Sequence, residues 1–175
     1  MESRIGQRVC YSNYGVCEVS AVELRDDICN PGQQVNYYTL LPLNKRLGKV
    51  LLPESRMKLL RPALDREGAL ALIDRIPSIP IDPFTDKNHR AVEDHFQTML
   101  RTGRVDDIVC VIKTMRHRIA QLEAQGKQAS ASCTRLLNDG RSRLESELGH
   151  ALGMPESQVE GFIAGCLGEP TKDAK

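Results

Sequence analysis

The sequence predicts an α+β protein: a small N-terminal β-barrel (residues 1–61), an all-helical domain (62–168) and a polar tail (169–175). The first part alternates apolar and polar residues in short segments, as half-buried strands do. After Arg61 and Pro62 the apolar residues recur at helical spacing. Aromatic residues make up only 4% of the chain and tryptophan is absent, so the core must consist mainly of Leu, Ile, Val and Ala.

The N-terminal strands are predicted from alternation and from the turn residues between them. Strands are expected at residues 7–11, 16–23, 35–43, 49–52 and 57–61. Turns are expected at 12–15, 30–32 and 44–48, where Asn, Pro and Gly accumulate. About five short strands in so short a stretch favour a small, strongly bent barrel.

The first three helices are predicted from caps and apolar stripes. Asp65 is expected to cap a helix with Ala69, Leu72, Ile73 and Ile76 on one face. Asp86 is expected to cap a second helix that ends at Gly103. The third helix has the most regular stripe of the sequence, formed by Ile108, Val111, Ile112, Met115, Ile119 and Leu122.

Two further helices complete the prediction. Ser130 or Ser132 is expected to begin the fourth, in which Gly140 should mark a close contact between helices because glycine otherwise costs about 1 kcal/mol there. Pro155 suits the first turn of the last helix. The apolar face of this helix is formed by Val159, Phe162, Ile163 and Cys166.

Composition points to a soluble, cytoplasmic protein. No apolar run approaches the ~20 residues that cross a bilayer, and the N-terminus has no signal-peptide pattern. Six cysteines without Cys-x-x-Cys spacing indicate buried thiols rather than disulfides or a zinc site. No phosphate loop, nucleophile elbow or His-Glu-x-x-His motif is present, so we expect no enzyme, cofactor, metal or small-molecule substrate.

The formal net charge of +1 conceals two blocks of opposite sign. Residues 113–143 are strongly basic, whereas residues 145–173 are strongly acidic. A basic block can bind nucleic-acid phosphates, or it can form a solvated helix face beside an acidic one. Four tyrosines in the β part suggest either a cage for a methylated cation or ordinary strand packing: Tyr11, Tyr14, Tyr37 and Tyr38. The strands can also offer an exposed edge to a partner's sheet.

An ordered set of motifs resembles the CarD/CdnL family of bacterial transcription regulators over about residues 4 to 167. In the β part the motifs are Ile5-Gly6-Gln7-Arg8-Val9-Cys10-Tyr11, Tyr14-Gly15-Val16-Cys17-Glu18-Val19, Tyr37-Tyr38-Thr39-Leu40, Val50-Leu51-Leu52-Pro53 and Leu60-Arg61-Pro62. In the helical part they are Leu100-Arg101-Thr102-Gly103, Val111-Ile112-Lys113-Thr114-Met115 and Leu144-Glu145-Ser146-Glu147-Leu148.

The resemblance implies a Tudor-like barrel that docks on the β subunit of bacterial RNA polymerase. It implies polymerase contacts at Arg25 and along the strand from Lys49 to Leu52. Some members have a basic residue where this chain has Leu51. The resemblance also implies that the helical domain contacts promoter DNA at the upstream edge of the transcription bubble.

The DNA-contacting residues are expected at two places in the helical part. Family members insert a tryptophan wedge near the start of the second helix, where this chain has Lys87, His89 and Arg90 instead. On the third helix, Lys113, Arg116 and His117 share a face away from the apolar stripe, while Arg118 lies about 100° further round. Without Arg118, the predicted phosphate-contacting set has six members: Lys87, His89, Arg90, Lys113, Arg116 and His117.

The sequence therefore predicts a non-enzymatic transcription regulator that binds polymerase through the barrel and DNA through the helices. The alternatives are an adaptor whose helical domain binds another protein and not DNA, and a methyl-cation reader. Activation or repression, the target promoters and the oligomeric state do not follow from the sequence.

Overall fold

The computed structural model describes residues 4–11, 14–28, 30–43 and 47–167. Contacts divide the chain into two compact units, Met1–Ala63 and Leu64–Lys175, here called the N-terminal unit and the helical unit. The predicted turn residues 12, 13 and 44–46 and the tail 169–175 lie outside the described residues. In the part of the chain that is described, no helix is both long and apolar enough to cross a membrane.

The N-terminal unit is a five-stranded antiparallel sheet. Its strands are β1 (Arg8–Tyr11), β2 (Gly15–Asp26), β3 (Gln34–Pro42), β4 (Val50–Pro53) and β5 (Leu60–Pro62). The strand order is β4-β3-β2-β1-β5, so β4 and β5 are the two sheet edges. The predicted combination of N-terminal strands and C-terminal helices is confirmed.

The fifth predicted strand is only partly present. A 3₁₀ helix, Glu54–Leu59, occupies the beginning of the predicted segment, and β5 starts at Leu60. The 3₁₀ helix buries no residue completely, but Met57 and Leu60 pack against the sheet core. The apolar spacing that suggested a strand therefore comes from a short helix and a strand in succession.

One face of the sheet carries the core of the N-terminal unit. Its buried members are Val9, Cys17, Val19, Tyr38, Leu40 and Leu52. A β-bulge at Ser20 shifts the register of β2, so that Val19 pairs with Leu40 while Ala21 pairs with Thr39. Because of the bulge, Ala21, Glu23 and Arg25 lie on the face of the sheet opposite this core.

The helical unit consists of α1 (Arg66–Arg75), α2 (His89–Thr102), α3 (Val105–Ala124), α4 (Ala131–Leu152) and α5 (Glu156–Leu167), with a 3₁₀ turn at Ile76–Ser78. Two predicted caps are confirmed. Asp65 accepts a hydrogen bond from the Gly68 N–H at 2.8 Å, and Ser130 accepts one from the Cys133 N–H at 3.2 Å. These side-chain oxygens satisfy backbone donors that lack a partner inside the helix.

The predicted cap of α2 is wrong by two residues. Asn88 is the N-cap, and its side chain accepts from the Arg90 N–H at 3.0 Å. Asp86 instead accepts from the Asn88 N–H at 2.7 Å, which forms a turn before the helix. The helix ends as predicted at Gly103, whose φ of 69° lies in the left-handed region.

The core of the helical unit is formed mainly by the predicted apolar stripes, but Ile119 and Leu122 of the α3 stripe are only half-buried and do not belong to it. Phe96, Leu100, Met115 and Leu148 are fully buried within it. At Gly140 a Cβ atom would lie 2.9 Å from Cγ1 of Ile112, so the predicted close contact between α3 and α4 is confirmed. Cys166 is exposed, so the apolar face predicted for α5 is not buried at its C-terminal end.

Side-chain contacts fix the directions of the three central helices. Glu93 near the start of α2 accepts from Ser132 and Arg135 near the start of α4. Leu100 near the end of α2 accepts from Arg143, which lies further along α4. The two helices therefore run parallel. Arg118 in the second half of α3 reaches Phe84, which precedes α2, so α3 runs antiparallel to α2. The start of α2, the second half of α3 and the start of α4 therefore lie at the same end of the helical unit.

Candidate functional site

Lys113 has a structural role that the sequence does not predict. Its ammonium donates to the carbonyl oxygens of Ile76 at 2.8 Å, Pro77 at 3.1 Å and Ile79. An ammonium has three N–H donors, so all three are used. The acceptors follow the C-terminal end of α1, where a positive charge also complements the helix dipole. We therefore remove Lys113 from the phosphate-contacting set and assign it to holding this segment on α3.

Arg116 belongs to an ion-pair network on another part of the helical unit. It pairs with one carboxylate oxygen of Glu160 on α5, and Arg141 of α4 pairs with the other. Arg141 also donates to Glu145 at 3.2 Å. Two arginines and two glutamates leave this network without net charge. A phosphate would have to displace Glu160 in order to bind Arg116.

The other cations of the basic block also have partners inside the protein. Arg118 donates to the carbonyl of Phe84 and lies 4.8 Å from the ring centroid of Phe96. Arg143 donates to the last-turn carbonyl of Leu100 at 2.7 Å, and burial lowers the pKa of its guanidinium. The remaining pairs are Lys127 with Gln125 and Arg135 with Glu93. The basic block is therefore used mainly to join the helices.

The start of α2 presents a different group of cations. Lys87, His89 and Arg90 are exposed, and among the described residues their side chains make no hydrogen bond or salt bridge. The first turns of α2 and α4 hold no acidic residue, whereas α1, α3 and α5 each have at least one there. The charges of Lys87 and Arg90 therefore lie at the N-terminal end of α2, which is the positive end of the helix dipole. We call these three residues the α2 N-terminal group.

His117 is exposed and lies at the same end of the helical unit as the α2 N-terminal group. It directly precedes Arg118, which reaches the segment before α2. Its side chain has no bonded partner within the described residues. Of the three cations predicted on α3, His117 is the one for which the described part of the chain provides no partner.

A compact set of contacts holds the segment that leads to the α2 N-terminal group. Asp82 accepts from His95 Nε2 at 2.9 Å and from the Phe84 N–H at 2.7 Å. The Phe84 ring stacks on His95 with centroids 4.1 Å apart. Desolvation alone would raise the pKa of Asp82, but the hydrogen bonds from His95 and Phe84 together with the charge interactions with His95 and Arg118 outweigh it and hold that pKa below its usual range. Ionised Asp82 thus fixes the chain immediately before Lys87.

In the N-terminal unit, register places two predicted polymerase-contacting residues on one face of the sheet. Arg25 pairs with Val35 and Leu51 pairs with Thr39. Directly paired residues project to the same face, and residues at even spacing along β3 do so too. Arg25 and Leu51 therefore share the face opposite the core, about 13 Å apart along the strand direction.

This outer face is apolar near the sheet edge. Leu51 is 41% exposed and Leu41 is 43% exposed, and both project from it. Lys49 is exposed and directly precedes β4. The Arg25 guanidinium donates from Nε to Glu23 at 2.9 Å, so its charge is partly compensated. Within the described residues β4 pairs only with β3, which leaves the other backbone edge of β4 available to a further strand.

The tyrosines do not form a cation cage. Tyr11 and Tyr14 stack on each other with centroids 5.6 Å apart and an interplanar angle of 7°. Tyr38 lies in the sheet core, and the Tyr37 hydroxyl accepts from the Ile28 N–H at 3.5 Å. Tyr11 and Tyr14 pack against the core cluster that contains Tyr38, whereas Tyr37 lies on the opposite face of the sheet. This geometry favours packing over the methyl-cation hypothesis.

The five cysteines that the structure describes are free thiols. Burial raises the pKa of the Cys17 thiol to about 11 and also raises that of Cys110, which keeps both uncharged. Among residues 4–11, 14–28, 30–43 and 47–167, no three His, Cys, Asp or Glu side chains are grouped as metal ligands. The chain matches no protein-family model and no curated protein sequence.

Proposed function

We propose that this protein is a transcription regulator of the CarD/CdnL type. It binds the β subunit of RNA polymerase through the outer face and the β4 edge of the N-terminal sheet. It contacts promoter DNA through the α2 N-terminal group. In this proposal the sheet is a Tudor-like barrel, which is supported by its antiparallel strand order and by the bulge at Ser20.

The α2 N-terminal group is the observation that carries the DNA-binding part of this proposal. Every Lys and Arg of the basic block has a partner inside the protein, whereas Lys87 and Arg90 make no side-chain bond among the described residues. They occupy the position at which the resemblance implies contact with DNA. The group lacks a tryptophan, so it can bind phosphates but offers little apolar surface for insertion between base pairs.

The two parts of the protein act together in this mechanism. Two cations alone bind DNA weakly, because each neutralised phosphate contributes only one released counterion. Attachment to polymerase holds the group near the promoter and raises its effective concentration. A nearly neutral protein can in this way act on DNA that it would scarcely bind by itself.

The salt dependence of DNA binding tests the proposal. For contacts at Lys87 and Arg90 we expect a slope of about −1.8 in log K against log salt, so affinity falls about tenfold between ~50 and ~200 mM. The double variant Lys87→Gln/Arg90→Gln should bind fork DNA weakly and with a slope near zero. The matched control is Arg101→Gln/Arg104→Gln, since it removes the same number of charges from exposed arginines at the other end of α2.

The internal pairing of the basic block favours one alternative, an adaptor whose helical unit binds a protein. In that case the wild type would show no salt-dependent binding to fork DNA. An equal slope for the wild type and the double variant would remove the α2 N-terminal group from the DNA interface. An equal loss in Arg101→Gln/Arg104→Gln would show that the effect arises from net charge alone.

A further inference from the structure

Residues 80–86, here called the strap, lie between the 3₁₀ turn and α2 and form neither a helix nor a strand. Pro80 and Pro83 have no backbone N–H, which limits the regular hydrogen bonds that the strap can make. None of its side chains is fully buried, and none belongs to the core of the helical unit. The strap therefore lies on the helices and is not part of their core.

Side chains of α3 hold the strap at successive points. Lys113 binds the carbonyls directly before it. The hydroxyl of Thr114, a residue that is 1% exposed, accepts from the Asp82 N–H at 2.8 Å. Arg118 donates to the carbonyl of Phe84. Contacts that advance along both segments in the same order show that the strap runs in the direction of α3.

On α2, His95 holds the same two residues of the strap. Its Nε2 lies 2.9 Å from Oδ2 of Asp82, and its ring stacks on that of Phe84. The other five residues of the strap are exposed. Opening of the strap would break the contacts of two residues and leave the packing between the helices in place. A segment with so few buried contacts opens at a lower free energy than the fold as a whole.

We propose that the strap opens and closes on α3 as a unit while the helical core stays folded. Lys87 directly follows the strap, whereas Arg90 lies in the first turn of α2. The closed strap fixes the chain on the N-terminal side of Lys87, and opening removes this constraint. The consequence for DNA rests on the proposed function: the closed state holds the charge of Lys87 in place relative to that of Arg90.

Amide hydrogen exchange of the full-length protein measures this opening without any ligand. The reporter is the Asp82 N–H, and the reference is the N–H of Met115, which is fully buried on α3. After correction for intrinsic rates, we expect Asp82 to be protected at least about tenfold and to exchange at least about 100-fold faster than Met115. Low concentrations of denaturant should accelerate only Met115, because opening of the strap exposes little surface.

Two matched variants test whether the strap opens as a unit. Arg118→Met and Arg116→Met each remove a guanidinium from α3, but Arg118 binds the strap whereas Arg116 pairs with Glu160. Arg118→Met should accelerate exchange of the Asp82 N–H at least about fivefold relative to Met115, although the bond between Asp82 and Thr114 is untouched. Arg116→Met should leave this ratio unchanged.

Titration of fork DNA tests the consequence for Lys87. Arg118→Met should weaken binding and reduce the salt slope by at most about 0.9, the value of one phosphate contact. In a Lys87→Gln background the same change should have no further effect. Additive losses would show that Arg118 acts through its own charge, which would overturn the link between the strap and Lys87. If the wild type shows no salt-dependent binding, the proposed function fails, and the exchange rates still decide whether the strap opens.

The strap proposal is overturned if Asp82 and Met115 exchange at the same rate or respond equally to denaturant, since the strap would then open only with the core. It is also overturned if the Asp82 N–H shows no protection, because the closed state would then be absent. Equal effects of Arg118→Met and Arg116→Met on the ratio of the two rates would contradict opening as a unit.

Discussion

Substitution of Lys113 gives a clear test of the helical unit, because sequence and structure predict different results. Helix geometry alone places Lys113 and Arg116 on one polar face, where replacing either should leave folding intact. In the structure the Lys113 ammonium donates to three backbone carbonyls, whereas Arg116 forms a half-exposed pair with Glu160. Lys113→Met and Arg116→Met keep a long apolar stem and remove the charge, so the two variants are matched.

The expected magnitudes follow from these contacts. A hydrogen bond to a charged group contributes about 1.5–3 kcal/mol, and the three carbonyls share one ammonium and partly regain water when it is lost. We expect Lys113→Met to lower the free energy of unfolding by about 2–4 kcal/mol. An exposed ion pair contributes about 0–1 kcal/mol, so Arg116→Met should have little effect.

Chemical denaturation followed by far-ultraviolet circular dichroism measures this difference, since most of the helix signal comes from the helical unit. A variant Lys113→Met as stable as Arg116→Met would refute the structural role of the ammonium. Loss of DNA binding by Lys113→Met without loss of stability would return Lys113 to the phosphate-contacting set.

Two further predictions concern the packing of the helical unit. Because the hydrogen bonds from His95 and Phe84 lower the pKa of Asp82, its ionised form stabilises the fold above the unfolded pKa of ~3.9, and this contribution is lost as pH falls through the lower folded value. Asp82→Asn should therefore be less stable than wild type at pH ~7, with a difference that closes below about pH 4; a constant difference across this range would contradict the assignment. Gly140→Ala should lower the free energy of unfolding by about 1 kcal/mol, since overpacking against Ile112 exceeds the gain in helix propensity. In an Ile112→Ala background the same change should be stabilising in thermal unfolding, and a destabilising effect there would show that the contact is not the cause.

Features that depend on neighbouring residues were predictable from the sequence. The caps at Asp65 and Ser130 and the helix end at Gly103 follow from short-range hydrogen bonding and backbone preference. The position of Gly140 followed from the cost of glycine within a helix. The α2 cap was misplaced because Asp86 and Asn88 are both good capping residues, and only the path of the chain decides between them.

Most of the candidate site depends on contacts between residues far apart in the sequence. Lys113 meets its acceptors 34 to 37 residues away, and Arg116 meets Glu160 at a separation of 44. No local pattern indicates which cations of a basic block are used for packing. The opposite charges of residues 113–143 and 145–173 were the available signal, since Arg116 and Arg141 pair with acids of the second block.

Binding to RNA polymerase tests the central claim most directly. The measurement is the affinity of the full-length protein for purified polymerase core enzyme and for its isolated β subunit, with Leu51→Glu as the variant. Leu51 is exposed on the outer face beside the β4 edge, so a charge there should weaken binding to both by at least about tenfold without unfolding the sheet. Arg101→Gln in the helical unit should bind as the wild type does. Failure of the wild type to bind either form, or equal affinities for wild type and Leu51→Glu, would contradict the account.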